Sequence, residues 1–107
     1  MSTLFEIEQK GTKLAKHLSI GADEISLLRT ARVLNAMRLK VEQLVREHGK
    51  AVGWTDDVAT AEPLLQGMEH HLRCVLLDYP SLTRDAIRDH LEGALDQLFD
   101  ALTLLER

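Results

Sequence analysis

Apolar residues recur at alternating steps of three and four in four consecutive segments of this chain. That spacing puts the apolar side chains on one stripe of an α-helix, whereas a half-buried strand would alternate every second residue. The first stripe is Leu4, Ile7, Gly11, Leu14 and Leu18. The second is Leu27, Ala31, Leu34, Val41, Val45 and His48, flanked by Met37 and Leu44. The third is Ala61, Leu65, Met68, Leu72, Val75 or Leu76, and Tyr79. The fourth is Ile87, Leu91, Ala94, Leu98, Ala101 or Leu102, and Leu105. No segment carries a β-pattern.

Local signals divide the stripes. Thr3 and Glu6 form a capping box, and Gly21 is a stop. Asp23 and Glu24 suit the positive end of a second helix, which Gly49 ends. Lys50 to Asp57 reads as the one substantial loop, with Trp54 as a plug for the open end of the bundle. Thr60 is a cap that would put Pro63 in the first turn, where its missing N–H costs nothing. Pro80 stops the third helix, and Ser81 or Thr83 caps the fourth. The expected helices are residues 3–19, 22–48, 60–79 and 83–105, with the second and fourth longer than the first and third. Short links favour antiparallel neighbours, so residues 1–107 are expected to form a single all-α domain, an antiparallel four-helix bundle.

Composition agrees. The chain is 45% hydrophobic but only 4% aromatic, so the core must be aliphatic. The single cysteine, Cys74, cannot form an internal disulfide, which suits a reducing compartment. Residues 1–10 carry no basic stretch followed by an apolar run, and no apolar run is long enough to span a bilayer. A cytoplasmic protein without membrane contact is expected.

Charge is uneven. Residues 1–50 hold nine Lys/Arg against six Asp/Glu, whereas residues 51–107 hold four against eleven. The acidic second half disfavours binding along a phosphate backbone. On the fourth helix, Asp85, Asp89, Glu92, Asp96 and Asp100 fall within an arc of roughly 80°, opposite the apolar stripe. Such a strip suits electrostatic selection of a basic partner. On the second helix, Ile25, Leu28, Ala36 and Leu39 make a second apolar patch away from the main stripe, suited to a dimer or partner interface. Arg29, Arg32, Lys40, Arg46 and Lys50 line one side of the same helix, while Arg38 points into its apolar stripe. An arginine there needs a carboxylate partner or must extend its head to water.

Together these features indicate a small non-catalytic protein-binding bundle: an adaptor, regulator, chaperone, or immunity or antitoxin-like protein. It is expected to engage a protein partner, a second copy of itself as a homodimer, or both, without cofactor, metal or nucleic acid. There is no Gly-rich phosphate loop, and no Glu has His three residues later as diiron carboxylate bundles require.

Two other readings attach to particular residues. His70 and Cys74 are four apart and can share one helix face and one metal ion, as in a metal-responsive regulator. Over about six residues this run is similar to the His-x-x-x-Cys element of copper-sensing CsoR-type repressors. Those repressors also use an upstream cysteine, which this chain does not have. Arg84, Asp85 and His90 form an Arg-polar-spacer-His element that resembles that of HEPN domains. That resemblance implies an all-helical ribonuclease in which Arg84 and His90 of two protomers would meet in a cleft. The aromatic residue that often follows the family's histidine is replaced by Leu91 and Glu92.

Overall fold

The computed structural model describes residues 3–19, 23–52 and 56–105. Four helices account for nearly all of them: α1 (Thr3–Ser19), α2 (Glu24–Val52), α3 (Asp56–Asp78) and α4 (Arg84–Leu105). A single 3-10 turn, Tyr79–Ser81, joins α3 to α4, and the described residues contain no strand. The fold is the expected all-α four-helix bundle. Its extents are 43 × 25 × 16 Å. The 29 residues of α2, at about 1.5 Å each, account for the long dimension.

α4 is the central element. It packs along α3 over most of its length and also touches α1 and α2, while among the described residues α1 and α3 have no extensive contact with each other. The cross-section is therefore a flattened rhombus, with α2 and α4 facing across the short diagonal. The four stripes meet in one aliphatic core. Leu18, Leu27, Leu34, Leu65, Leu72, Leu91 and Leu98 are almost wholly excluded from water. Each such leucine contributes about 1.5–3 kcal/mol relative to an exposed one.

Capping sets two of the starts. The Ser26 N–H donates to Asp23 Oδ1 (2.8 Å), making Asp23 the N-cap of α2. That backbone hydrogen bond, with a second from the Ser26 side chain, holds the Asp23 carboxyl below the usual range. At α4 the Ala86 N–H donates to Thr83 Oγ1 (3.1 Å), so Thr83 rather than Ser81 is the cap.

The expected boundaries need correction between α2 and α3. Gly49 does not end α2, which continues to Val52. α3 begins at Asp56, four residues before Thr60, and Pro63 lies inside it. Glycine in a helix costs only about 1 kcal/mol. Pro63, the eighth residue of α3, removes the hydrogen bond that Ala59 would accept and sets its ring against that carbonyl, at a cost of about 3 kcal/mol. With 23 residues α3 is as long as α4, which has 22, so the expected excess length of α4 is absent. Tyr79 is not a core residue; it sits in the 3-10 turn and is 39% exposed. Gly21 and Trp54 lie outside the described residues.

Arg38 is buried in the α2 stripe. Its side chain is 10% exposed, and its head is paired within the protein. One guanidinium nitrogen lies 2.7 Å from Glu42 Oε1 and 3.7 Å from Glu69 Oε2 of α3. The other two donate to Asn35 Oδ1 at 3.1 and 3.3 Å.

Candidate functional site

The apolar stripe of α4 faces the core, so the residues opposite it must face outward. Asp85, Asp89, Glu92, Asp96 and Asp100 are all exposed on that outer side. Arg88 lies 3.4 Å from Glu92 on the same helix. Among the described residues the other four carboxylates make no ion pair. Their repulsion is thus relieved mainly by solvent, and a cationic surface docking there would replace that relief.

The second patch of α2 is also outward. Ile25 is 65% and Leu39 53% exposed, Ala36 is exposed and Leu28 is half-buried. Ala36 also helps to line an open groove of about 310 Å³ between α1 and α2, with Val33, Met37 and Ile7. Arg29, Arg32, Lys40 and Arg46 are exposed beside the patch. Since the buried stripes of α2 and α4 face each other across the short diagonal, their outer stripes look away from opposite broad sides. The outer stripe of α2 carries the apolar patch and its arginines, and that of α4 the five carboxylates.

The polar seam between α3 and α4 is a third feature. His71 of α3 and His90 of α4 meet with their Nδ1 atoms 3.0 Å apart and ring centres separated by 5.2 Å. In the neutral pair one Nδ1–H donates to the other Nδ1. Both residues are half-buried. Loss of water around His71, with the nearby His90 and His70, lowers its pKa and favours the neutral ring. Gly93 permits the approach: a β-carbon there would lie 3.0 Å from His71 Nε2. Further along the seam, Gln97 Oε1 is buried without a hydrogen-bond partner among the described residues.

The other sequence candidates are placed as follows. His70 Nε2 and Cys74 Sγ share one face of α3 at 3.8 Å, His70 exposed and Cys74 half-buried. Arg84 and His90 both lie on α4, six residues apart, so they point about 120° apart around the axis. His90 turns its Nδ1 toward His71. Among the described residues no group of three or more His, Cys, Asp or Glu is assembled for a metal. No described helix is long and apolar enough to cross a membrane.

Sequence reasoning did not find the pairing of His71 with His90 or that of Arg38 with Glu69. Each joins residues on different helices, and no spacing rule reports how two helices are rotated against each other. The only available signal was the antiparallel hairpin of α3 and α4, which places His71 and His90 at similar heights.

No protein-family model, curated protein or solved structure matches the chain.

Proposed function

We propose that this protein is a non-catalytic binding module that works in the cytoplasm as an adaptor or regulator of another protein. The acidic strip of α4 selects a basic surface on the partner. The patch of Ile25, Leu28, Ala36 and Leu39 on α2 supplies the apolar anchor for a second contact. A second copy of the chain is one candidate for that contact, because the basic side of one copy complements the acidic side of another.

One observation carries this reading: the five α4 carboxylates stand exposed in a single row, with one intrahelical ion pair among them. Complementary charge of this kind raises association rates and rejects partners of the wrong sign. Large exposed side chains such as Ile25 and Leu39 are what an interface core uses.

The test is affinity capture from the source cells with the wild type and with the triple variant Asp89→Asn/Glu92→Gln/Asp96→Asn, bound proteins being quantified by mass spectrometry. A partner held stoichiometrically by the wild type, released by high salt and missing from the triple variant supports the reading. Equal capture by a triple variant that melts like the wild type contradicts it.

A further inference from the structure

The pair formed by His71 and His90 has a geometry that the binding function does not use. Both rings come from the most extensive helix–helix interface in the molecule, so their positions are set by backbone packing. Gly93 leaves the space into which the His71 ring fits. The two Nδ1 atoms face each other at 3.0 Å, with a tilt of 53° between ring planes.

We infer that His71 and His90 form a two-histidine chelate for a borderline first-row divalent cation such as Zn²⁺ or Ni²⁺, with its remaining coordination positions open. Imidazole nitrogens bind zinc at about 2.0–2.1 Å, so two of them on a tetrahedral ion stand about 3.3 Å apart. With the ring radius added, the ring centres of such a chelate lie roughly 5 Å apart. Here the ring centres are already 5.2 Å apart. The ion therefore requires each ring to pivot about its own centre, opening the nitrogen–nitrogen distance by a few tenths of an ångström. It requires no movement of either helix.

The proton inventory closes without a co-reactant. In the metal-free neutral pair, one ring carries its proton on Nδ1 and shares it with the other Nδ1. On binding, that proton transfers to Nε2 of the same ring through solvent, and both Nδ1 lone pairs turn to the cation. Where both rings are neutral, no net proton is released. Below that range protons compete for the same nitrogens and binding weakens.

Imidazole donors suit zinc, nickel and copper, whereas Mg²⁺ and Ca²⁺ want several oxygens, and no carboxylate joins this pair in a metal-sized group among the described residues. Two protein ligands leave the other positions to water or to a ligand from outside the chain. The site is also distinct from the nearby pair of His70 and Cys74, which lies on α3 alone.

Calorimetric titration of the full chain with ZnCl₂, and separately with NiCl₂, tests the inference. The expected result is one saturable ion per chain. His71→Ala and His90→Ala should each weaken binding by about tenfold or more, while His70→Ala/Cys74→Ser binds as the wild type does. Imidazole ¹⁵N spectra should show both Nδ1 atoms of the wild type metal-bound. His90→Gln, which keeps the side chain's bulk and polarity, stands in if the alanine variant unfolds. Absence of saturable binding by the wild type overturns the inference. So does wild-type affinity in the His71 or His90 variants, or a loss that follows Cys74.

Discussion

Replacing Arg38 separates two ways in which a buried cation can hold a bundle together. Its side chain is 10% exposed, and its closest carboxylate, Glu42 at 2.7 Å, is 23% exposed. Glu69, at 3.7 Å and 35% exposed, stands partly in water and adds little. The attraction to Glu42 is offset by the cost of taking the guanidinium out of water. What remains is the packing of the three-carbon stem in the α2 stripe and the hydrogen bonds to Asn35. Arg38→Ala removes both, leaves a void and leaves Glu42 with only the longer contact to Arg46 at 4.0 Å. It should destabilise the fold by about 2–4 kcal/mol, roughly 10–20 °C in melting temperature for a domain of this size. Arg38→Met keeps the stem but gives up the Asn35 hydrogen bonds and the Glu42 pairing, so it should recover only the packing part of the alanine loss, about 1–2 kcal/mol. Urea denaturation followed by far-ultraviolet circular dichroism measures both. If the methionine variant is as unstable as the alanine variant, the ion pair rather than the stem supports the core, and the reasoning fails. A stable alanine variant would show that the site collapses without cost.

Three further outcomes follow from the geometry. Gly93→Ala should displace the His71 ring, whose Nε2 lies 3.0 Å from the new methyl position, while changing stability by no more than about 1 kcal/mol because alanine favours the helix; imidazole ¹⁵N shifts read the ring and a melt reads the stability. His71 protonates less readily in the fold than its ordinary value of 6.5, so the unfolded chain binds more protons. Stability should therefore be level above about pH 6.5, fall as pH drops below it, and lose that part of its slope in His71→Gln; urea midpoints across the range check the sign. Asp23→Ala should lower the melting temperature at neutral pH, and the gap from the wild type should close as the pH falls through the carboxylate range, because the cap bond favours ionised Asp23.

The stripes on all four helices were legible because burial follows a period that the sequence carries. Leu27, Ala31, Leu34, Val41 and Val45 are buried as their spacing requires, and so are Ile87, Leu91, Ala94 and Leu98. The exposure of the α4 carboxylates follows from the same wheel. Boundaries were less legible. Pro63 fits a first turn so well that it suggests a start at Thr60, yet α3 begins earlier, at Asp56. Gly49 resembles a stop, but helix continues through it. In both places a single residue type was read as a boundary, although helix can run through glycine at about 1 kcal/mol and through proline at about 3 kcal/mol. The histidine pair was illegible for a different reason. His71 and His90 are 19 residues apart on separate helices, and their meeting depends on the rotation of α3 against α4 and on the gap at Gly93. Arg38 falls between these cases: its place in the stripe and its need for a carboxylate were readable, whereas the identity of Glu69 on α3 was not.

The central claim is that the acidic side of α4 is covered by a partner when the protein is at work. Carboxyl footprinting of the protein inside its own cells, set against the purified chain, tests this without knowledge of the partner. Modification of Asp89, Glu92 and Asp96 should drop in the cell, while the exposed Glu8 of α1 and Glu62 of α3 react equally in both settings. Equal modification of all five carboxylates in the two settings would contradict the claim.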